Sequence, residues 1–207
     1  MTGPNVVADL LIHNALVVAT VDDQRRELSG GWVAITEGII TGVGSSLDIK
    51  PDAREVLDAT DCLVTPGLVN THHHMYQNLT RANPLMTDKP LFGWLQSLYP
   101  LWRAIDEEAV YVSAYIALAE LALSGCTTSS DHLYLHPHGA GDLLSAEIRA
   151  AQDLGMRSTQ RVVQCLFRKK TVVCHLMMLS ATTMKFWRSV SKRCISITIA
   201  HSVQWCV

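Results

Sequence analysis

Apolar residues come in short runs along the first 64 positions, and each run is closed by a turn-forming group. Residues 10–21 (LLIHNALVVATV) are rich in apolar and β-branched side chains and predict one or two strands. A polar, turn-like stretch over 22–31 precedes a strand at Trp32-Val33-Ala34-Ile35. Glu37-Gly38 then makes a tight hairpin into residues 39–43, which Gly44-Ser45-Ser46 ends. Residues 55–58 and 62–64 add two further short strands. Many short strands with Gly-marked turns predict a small β-sandwich over residues 1–64.

From residue 65 the pattern lengthens. A brief apolar run, Leu68-Val69, is followed by a polar loop over 71–89 with Pro84 and Pro90 as breakers. Leu91, Trp94, Leu95, Leu98 and Trp102 fall near helical spacing, and Pro100 among them is expected to end or kink that helix. Asp106 is a plausible N-cap, with Glu107 and Glu108 complementing the dipole of the first turn. The helix behind it sets Val112, Tyr115, Ile116, Ala119 and Leu123 on one face, and Gly125 stops it. Residues 126–131 (CTTSSD) form a strand with His132 at its C-terminal end. Residues 143–154 form a helix that Gly155 stops and that should lead into another strand. The fold class is α/β.

Composition changes this picture at one place. The 207 residues carry a net charge of −2, which gives no sign of a nucleic-acid or membrane partner. No run of 18 apolar residues occurs and the N-terminus lacks a basic and an apolar leader segment, so a cytoplasmic location is the default expectation. Six cysteines without regular spacing do not read as a disulfide framework. Residues 1–157, however, hold 9 Lys+Arg against 19 Asp+Glu and every Gly and Pro. Residues 158–207 hold 8 Lys+Arg, no acid, no Gly, no Pro and four of the six Cys. At ordinary usage, 50 residues with neither Gly nor Pro arise by chance roughly 0.2% of the time. The tail is compositionally foreign. Its Arg168-Lys169-Lys170 run is short enough to be a solvated face, and a divergent basic domain there is the minor reading.

Candidate chemistry concentrates in residues 65–82, TPGLVNTHHHMYQNLTRA. In an extended strand, side chains at i and i+2 share a side, so His72 and His74 can converge while His73 points away. Two neutral imidazoles on one face are what a Zn²⁺ or Fe²⁺ site asks of one segment, although a lone H-x-H is more often a surface cluster or a satisfied core histidine. The flanks favour the first reading. A short apolar strand with Pro-Gly before it, H-x-H at its end and Met75-Tyr76-Gln77 after it resembles the first barrel strand of the amidohydrolase superfamily. The wording is most similar to the aminohydrolase branch, the 8-oxoguanine deaminases and the hydroxyatrazine and chlorotriazine hydrolases. The resemblance covers residues 8–157.

That resemblance implies a (β/α)₈ barrel preceded by the β-sandwich, which typically needs about 250 residues for the barrel alone. It divides the chain into an N-terminal sandwich part (1–64), the first part of a metal-dependent barrel (65–157) and the foreign tail (158–207). It implies a single divalent ion, zinc with iron as the alternative, that activates water for attack on a ring carbon bearing an amine or another leaving group. His72 and His74 match the first two metal ligands. Gln77 is a candidate substrate contact, and His132 lines the pocket or packs behind it. The implied substrate of a full-length parent is a small heterocycle: 8-oxoguanine as the best single name, hydroxytriazines or guanine-like rings as alternatives. Neither nucleic acid nor membrane is implied as a partner, and a homo-oligomeric parent stays open. The family's other ligands and its proton-shuttling Glu come from later strands, so no catalytic acid–base residue is assigned here and the chain is expected to be an inactive fragment. A non-catalytic metal-binding or interaction module is the reading from another class. His136-Pro137-His138 reads as surface loop, Cys126 as a small core residue, and Tyr76 and Trp94 as packing residues.

The tail has a specific explanation. The resemblance implies a third strand beginning F-H and soon followed by Arg, where the chain reads STQRVVQCLFRKK. One permitted coding of Ser158 onward, shifted by a single nucleotide, reads FHATRGSMSVSEKDGGLPP, which restores glycines, prolines and acids. A one-nucleotide deletion after Arg157 is therefore the expected origin of residues 158–207.

Overall fold

The computed structural model describes residues 7–168, 171–177 and 197–201; from residue 161 onward only the backbone strands are described. The rest of the foreign tail lies outside the described residues. The chain divides into two compact units, Met1–Leu68 with Phe186–Val207, and Val69–Lys185.

In the first unit, β1 (Ala8–Ala19), β2 (Glu27–Thr36), β3 (Ile39–Gly44), β4 (Ala53–Asp58), β5 (Cys62–Pro66) and β10 (Ile197–His201) form one mixed sheet. β1 is its spine. It pairs antiparallel with β2 along its length, in parallel with β4 before a bulge between Ile12 and Ala15, and in parallel with β5 after it. Asn14 sits in that bulge at φ 58°, a left-handed conformation that Asn tolerates better than most residues. Both sides of β2 are buried: Val33 and Ile35 join Ile12, Val18 and Val64, while Trp32 and Ala34 join Ala8 and Leu11. β2 starts at Glu27, inside the stretch expected to be a turn. Its Gly31 lies opposite Ala15, where a Cβ would come within 2.7 Å of the Val18 side chain, so glycine there is a close-packing residue.

In the second unit, β6 (Leu68–His73), β7 (Cys126–Leu133), β8 (Arg157–Arg168) and β9 (Thr171–Met177) lie side by side in that order. Helices α1 (Leu91–Trp102), α2 (Glu107–Leu123) and α3 (Leu143–Leu154) connect or cover them. β7 and β8 are parallel and joined through α3, a β-α-β unit that supplies the strand expected after Gly155. β9 returns antiparallel to β8. Asp106 caps α2 through Ala109 N–H, Asp142 caps α3 through Ser145 N–H, and Gly155 ends α3 at φ 74°. No helix among the described residues is long and apolar enough to cross a membrane.

Three local expectations are corrected. α1 does not stop at Pro100; it runs on to Trp102, whose buried ring anchors the last turn and whose indole N–H donates to Thr80 Oγ1 at 3.1 Å. The polar loop after β6 contains two 3-10 segments, Met75–Thr80 and Pro84–Met86. The buried side of α2 is also the opposite one: Val110, Ser113, Ala114, Ala117 and Leu118 are buried, whereas Val112, Tyr115, Ile116 and Leu123 are exposed. α2 is apolar nearly all round, so periodicity cannot choose a face. The small residues choose it, because Ser113, Ala114 and Ala117 let α2 approach Met75 and the Ala150-Ala151 side of α3 closely.

Leu118→Ala should therefore cost about 2–5 kcal/mol in urea unfolding. Leu123→Ala, at a side chain 90% exposed, should change stability by less than about 0.5 kcal/mol. The reverse order would restore the expected face.

Candidate metal centre

The site is built at the end of β6 and the 3-10 turn behind it, against the C-terminal end of β7. His72 and His74 project to one side and meet, with Nε2 to Nε2 at 3.2 Å. With no ion between them this is a hydrogen-bond distance, His72 Nε2–H donating to the bare Nε2 of His74. Two nitrogens bound to one tetrahedral zinc at about 2.0–2.1 Å stand about 3.3 Å apart, so the same separation also suits two ligands on one ion. The His73 ring lies at 4.0 Å from the Asp131 carboxylate, and burial together with the His74 imidazole holds His73 below its ordinary pKa.

Hydrogen bonds orient His74. Its Nδ1 lies 2.8 Å from the His132 carbonyl oxygen, which can only accept, so Nδ1 carries the hydrogen and the neutral ring presents a bare Nε2. Burial lowers the His74 pKa, against the raising effect of that carbonyl. His72 is held through its backbone, whose N–H donates to Asn70 Oδ1 at 3.1 Å, and its ring lies 4.4 Å from that of His132. The rings of Tyr134 and Tyr76 stand 4.6 and 6.1 Å from that of His74.

A cavity of about 520 Å³ opens in front of these rings, lined by His72, His73, His74, Gln77, Arg81 and Trp94 among others. Gln77 reaches it with its amide, which also donates to the Tyr76 hydroxyl at 3.4 Å. Arg81 forms a two-pronged ion pair with Glu120 at 2.7 Å, which raises the arginine pKa and lowers that of the glutamate. His132 stands behind the pair, buried. Tyr76 belongs to the core with Trp102, and Trp94 is partly buried against it while also facing the cavity. Cys126 is buried, and His136 and His138 are exposed in a loop. Among the described residues no group of three His, Cys, Asp or Glu side chains converges to hold an ion. The two imidazoles thus fit a divalent ion as part of a ligand set.

Asp131 and Glu147 are the residues that motif reading passed over. Both are fully buried, side by side under the histidine turn. Desolvation, opposed by hydrogen bonds, pushes Asp131 up to about 6; desolvation and then the Asp131 charge push Glu147 well above its usual value. Glu147 had a legible signal: it is the single charge in the stripe Leu143, Ala146, Glu147, Ala150, Ala151 that α3 buries.

Residues 63–163 match the model of the amidohydrolase family, and the chain belongs to that family. Within it, the chain is 40% identical over 147 residues to 8-oxoguanine deaminase of Pseudomonas aeruginosa, covering 71% of this chain and 32% of that protein. It is 34% identical over 151 residues to hydroxydechloroatrazine ethylaminohydrolase of a Pseudomonas species, covering 68% and 31%. An atrazine chlorohydrolase from Arthrobacter aurescens, solved in complex with zinc, superposes with a TM-score of 0.68 at 29% identity over 74% of this chain and 35% of that one. The chain spans about a third of the length of these relatives.

The carboxyl pair has a definite pH signature. Both groups bind protons more tightly folded than unfolded, so their contribution is greatest at acid pH and is lost as pH rises from about 4 to beyond 6. Glu147→Gln should remove most of that decline and raise the urea midpoint relative to the native chain at pH 7. His73, His74 and His136, with lowered pKa values, act in the opposite sense in both proteins, so the native-minus-variant difference from pH 4 to 8 isolates the pair.

Proposed function

We propose that this chain derives from a metal-dependent hydrolase that cleaves a non-peptide C–N bond on a purine or triazine ring, with 8-oxoguanine deaminase the best single name. Residues 1–64 correspond to its N-terminal β-sandwich, and residues 65–157 to the opening part of its (β/α)₈ barrel. Residues 158–207 are an out-of-frame tail. The observation that carries this reading is the convergence of two imidazole Nε2 atoms at 3.2 Å beside a cavity large enough for a heterocycle. The names of the relatives, which include an 8-oxoguanine deaminase and a hydroxydechloroatrazine ethylaminohydrolase, support the substrate class.

His72 and His74 would hold the ion, zinc first and iron as the alternative, and the zinc-bound relative supports that order. When bound, a divalent ion there supplies Lewis acidity that lowers the pKa of water toward about 7. Gln77 offers both an amide donor and a carbonyl acceptor to a ring in the cavity. His132 packs its ring against that of His72 and is not among the residues that line the cavity, whereas Trp94 lends the cavity an apolar surface. With two donors among the described residues, the ion would be weakly held and the chain would not turn over substrate.

Two features support the tail assignment. A (β/α)₈ barrel alternates parallel strands with helices, whereas β9 follows β8 antiparallel. The composition break also falls at the same point as the departure from the family's wording. Genomic DNA read past codon 157 should show a family-like frame one nucleotide away, and an uninterrupted gene without one would refute this origin.

The alternative is a non-catalytic metal-binding module, favoured by the same two-donor set. Cobalt or zinc titration of the purified chain should show weak binding that His72→Ala and His74→Ala abolish. The zinc-loaded chain should release no ammonia from 8-oxoguanine above a control without protein. Measurable turnover would overturn the fragment reading. Tight stoichiometric metal in a folded, monodisperse protein without turnover would favour the module.

A further inference from the structure

We propose that Asp131, with Ser113, is a positioning residue that clamps the backbone on either side of the Met75 Cα and thereby fixes the His74 imidazole with its Nε2 turned toward His72.

The two peptide groups that flank the Met75 Cα are each held. Its N–H donates to Asp131 Oδ1 at 2.7 Å, and its carbonyl accepts from Ser113 Oγ at 2.5 Å. Asp131, Ser113 and Met75 are all buried to within 1% of completeness, so no water competes for these groups. The neighbour of Asp131 on β7, His132, supplies the carbonyl that takes the Nδ1 hydrogen of His74. Two successive residues of one strand therefore grip two successive residues of the turn, one through the backbone and one through the ring.

A buried carboxylate is a costly way to hold a backbone N–H, because its charge loses hydration. A serine hydroxyl or a water would satisfy Met75 at lower cost. What the carboxylate adds is a strong, short acceptor that does not rotate away, set on the same strand as the carbonyl that selects the tautomer of His74. With the peptide after His74 immobile, the ring has one position in which Nδ1–H meets the His132 carbonyl, and there Nε2 faces His72. Partners behind a ligating histidine fix tautomer and ring orientation in this way.

The inference rests on the reading of His72 and His74 as an ion-binding pair, but its test has a readout without metal. Long-range ¹⁵N–¹H spectra of the metal-free chain should show His74 as a single Nδ1–H tautomer. Asp131→Ala should mix the tautomers and weaken cobalt affinity at least about tenfold, Ser113→Ala should shift both in the same direction, and Asp131→Asn, whose Oδ1 still accepts from Met75, should stay within about threefold of native. Circular dichroism identifies folded variants. A folded Asp131→Ala chain with native tautomer and affinity overturns the proposal, as does an Asn variant as impaired as Ala. If Asp131→Ala does not fold, Ser113→Ala decides, and an unchanged spectrum and affinity there overturns it. Should the native chain bind no cobalt, or bind it unaffected by His74→Ala, the metal reading fails, and the tautomer spectra still settle the clamp.

Discussion

His74 hangs from the backbone of β7, and the rest of the site follows from that single contact. A peptide carbonyl has no hydrogen to give, so the ring nitrogen facing it must donate, and the other nitrogen is left with a free lone pair. β-strand alternation then brings His72 to the same side, and the second lone pair or N–H arrives at 3.2 Å. The strand next door takes hold of one of them twice, the His132 carbonyl on the ring and the Asp131 carboxyl on the backbone that follows it, which explains why β7 must lie beside β6.

The cost of that arrangement is carried one layer deeper. Asp131 anchors the turn from a position with no solvent, and α3 places a second carboxyl, Glu147, against it. Burial pushes both carboxyls toward the protonated form; the Asp131 charge adds to that push on Glu147, while hydrogen bonds, first the one to Glu147, oppose it on Asp131. Proteins pay such stability penalties at sites where geometry matters more than stability. The packing around the pair is otherwise apolar and small-residue rich, with Ala114, Ala117, Ala150 and Ala151 drawing α2 and α3 together over Met75.

Much of the frame was legible because its signals are local. Asp106 precedes a helix with free first-turn N–H groups, Gly125 and Gly155 end helices at positive φ, and the short strands of the first unit carry their own turns. The convergence of His72 and His74 needs only the two-residue period of a strand. What could not be read locally depends on neighbours distant in sequence. The buried face of α2 is set by Met75 and α3, because the helix itself is apolar on every side. Pro100 fails to stop α1 because Trp102 finds Thr80 and the core. Asp131 looked like an ordinary residue before a histidine. Its role appears only when a backbone N–H 56 positions earlier is placed against it.

β8 begins inside the stretch that matches the family and continues beyond its end at residue 163. β-sheet pairing is made by backbone groups, and a run such as VVQCLF supplies β-branched and apolar side chains whatever frame produced it. Strand formation beside β7 therefore says little about origin. Side-chain polarity says more. Gln160 is paired opposite Asp131 and lies beside Glu147, with its amide turned to Ser158 Oγ at 2.7 Å. Among the described residues, the buried Arg157 Nε and the Ser129 and Ser130 hydroxyls have no hydrogen-bond partner, and each orphaned polar atom of this kind costs about 1–3 kcal/mol.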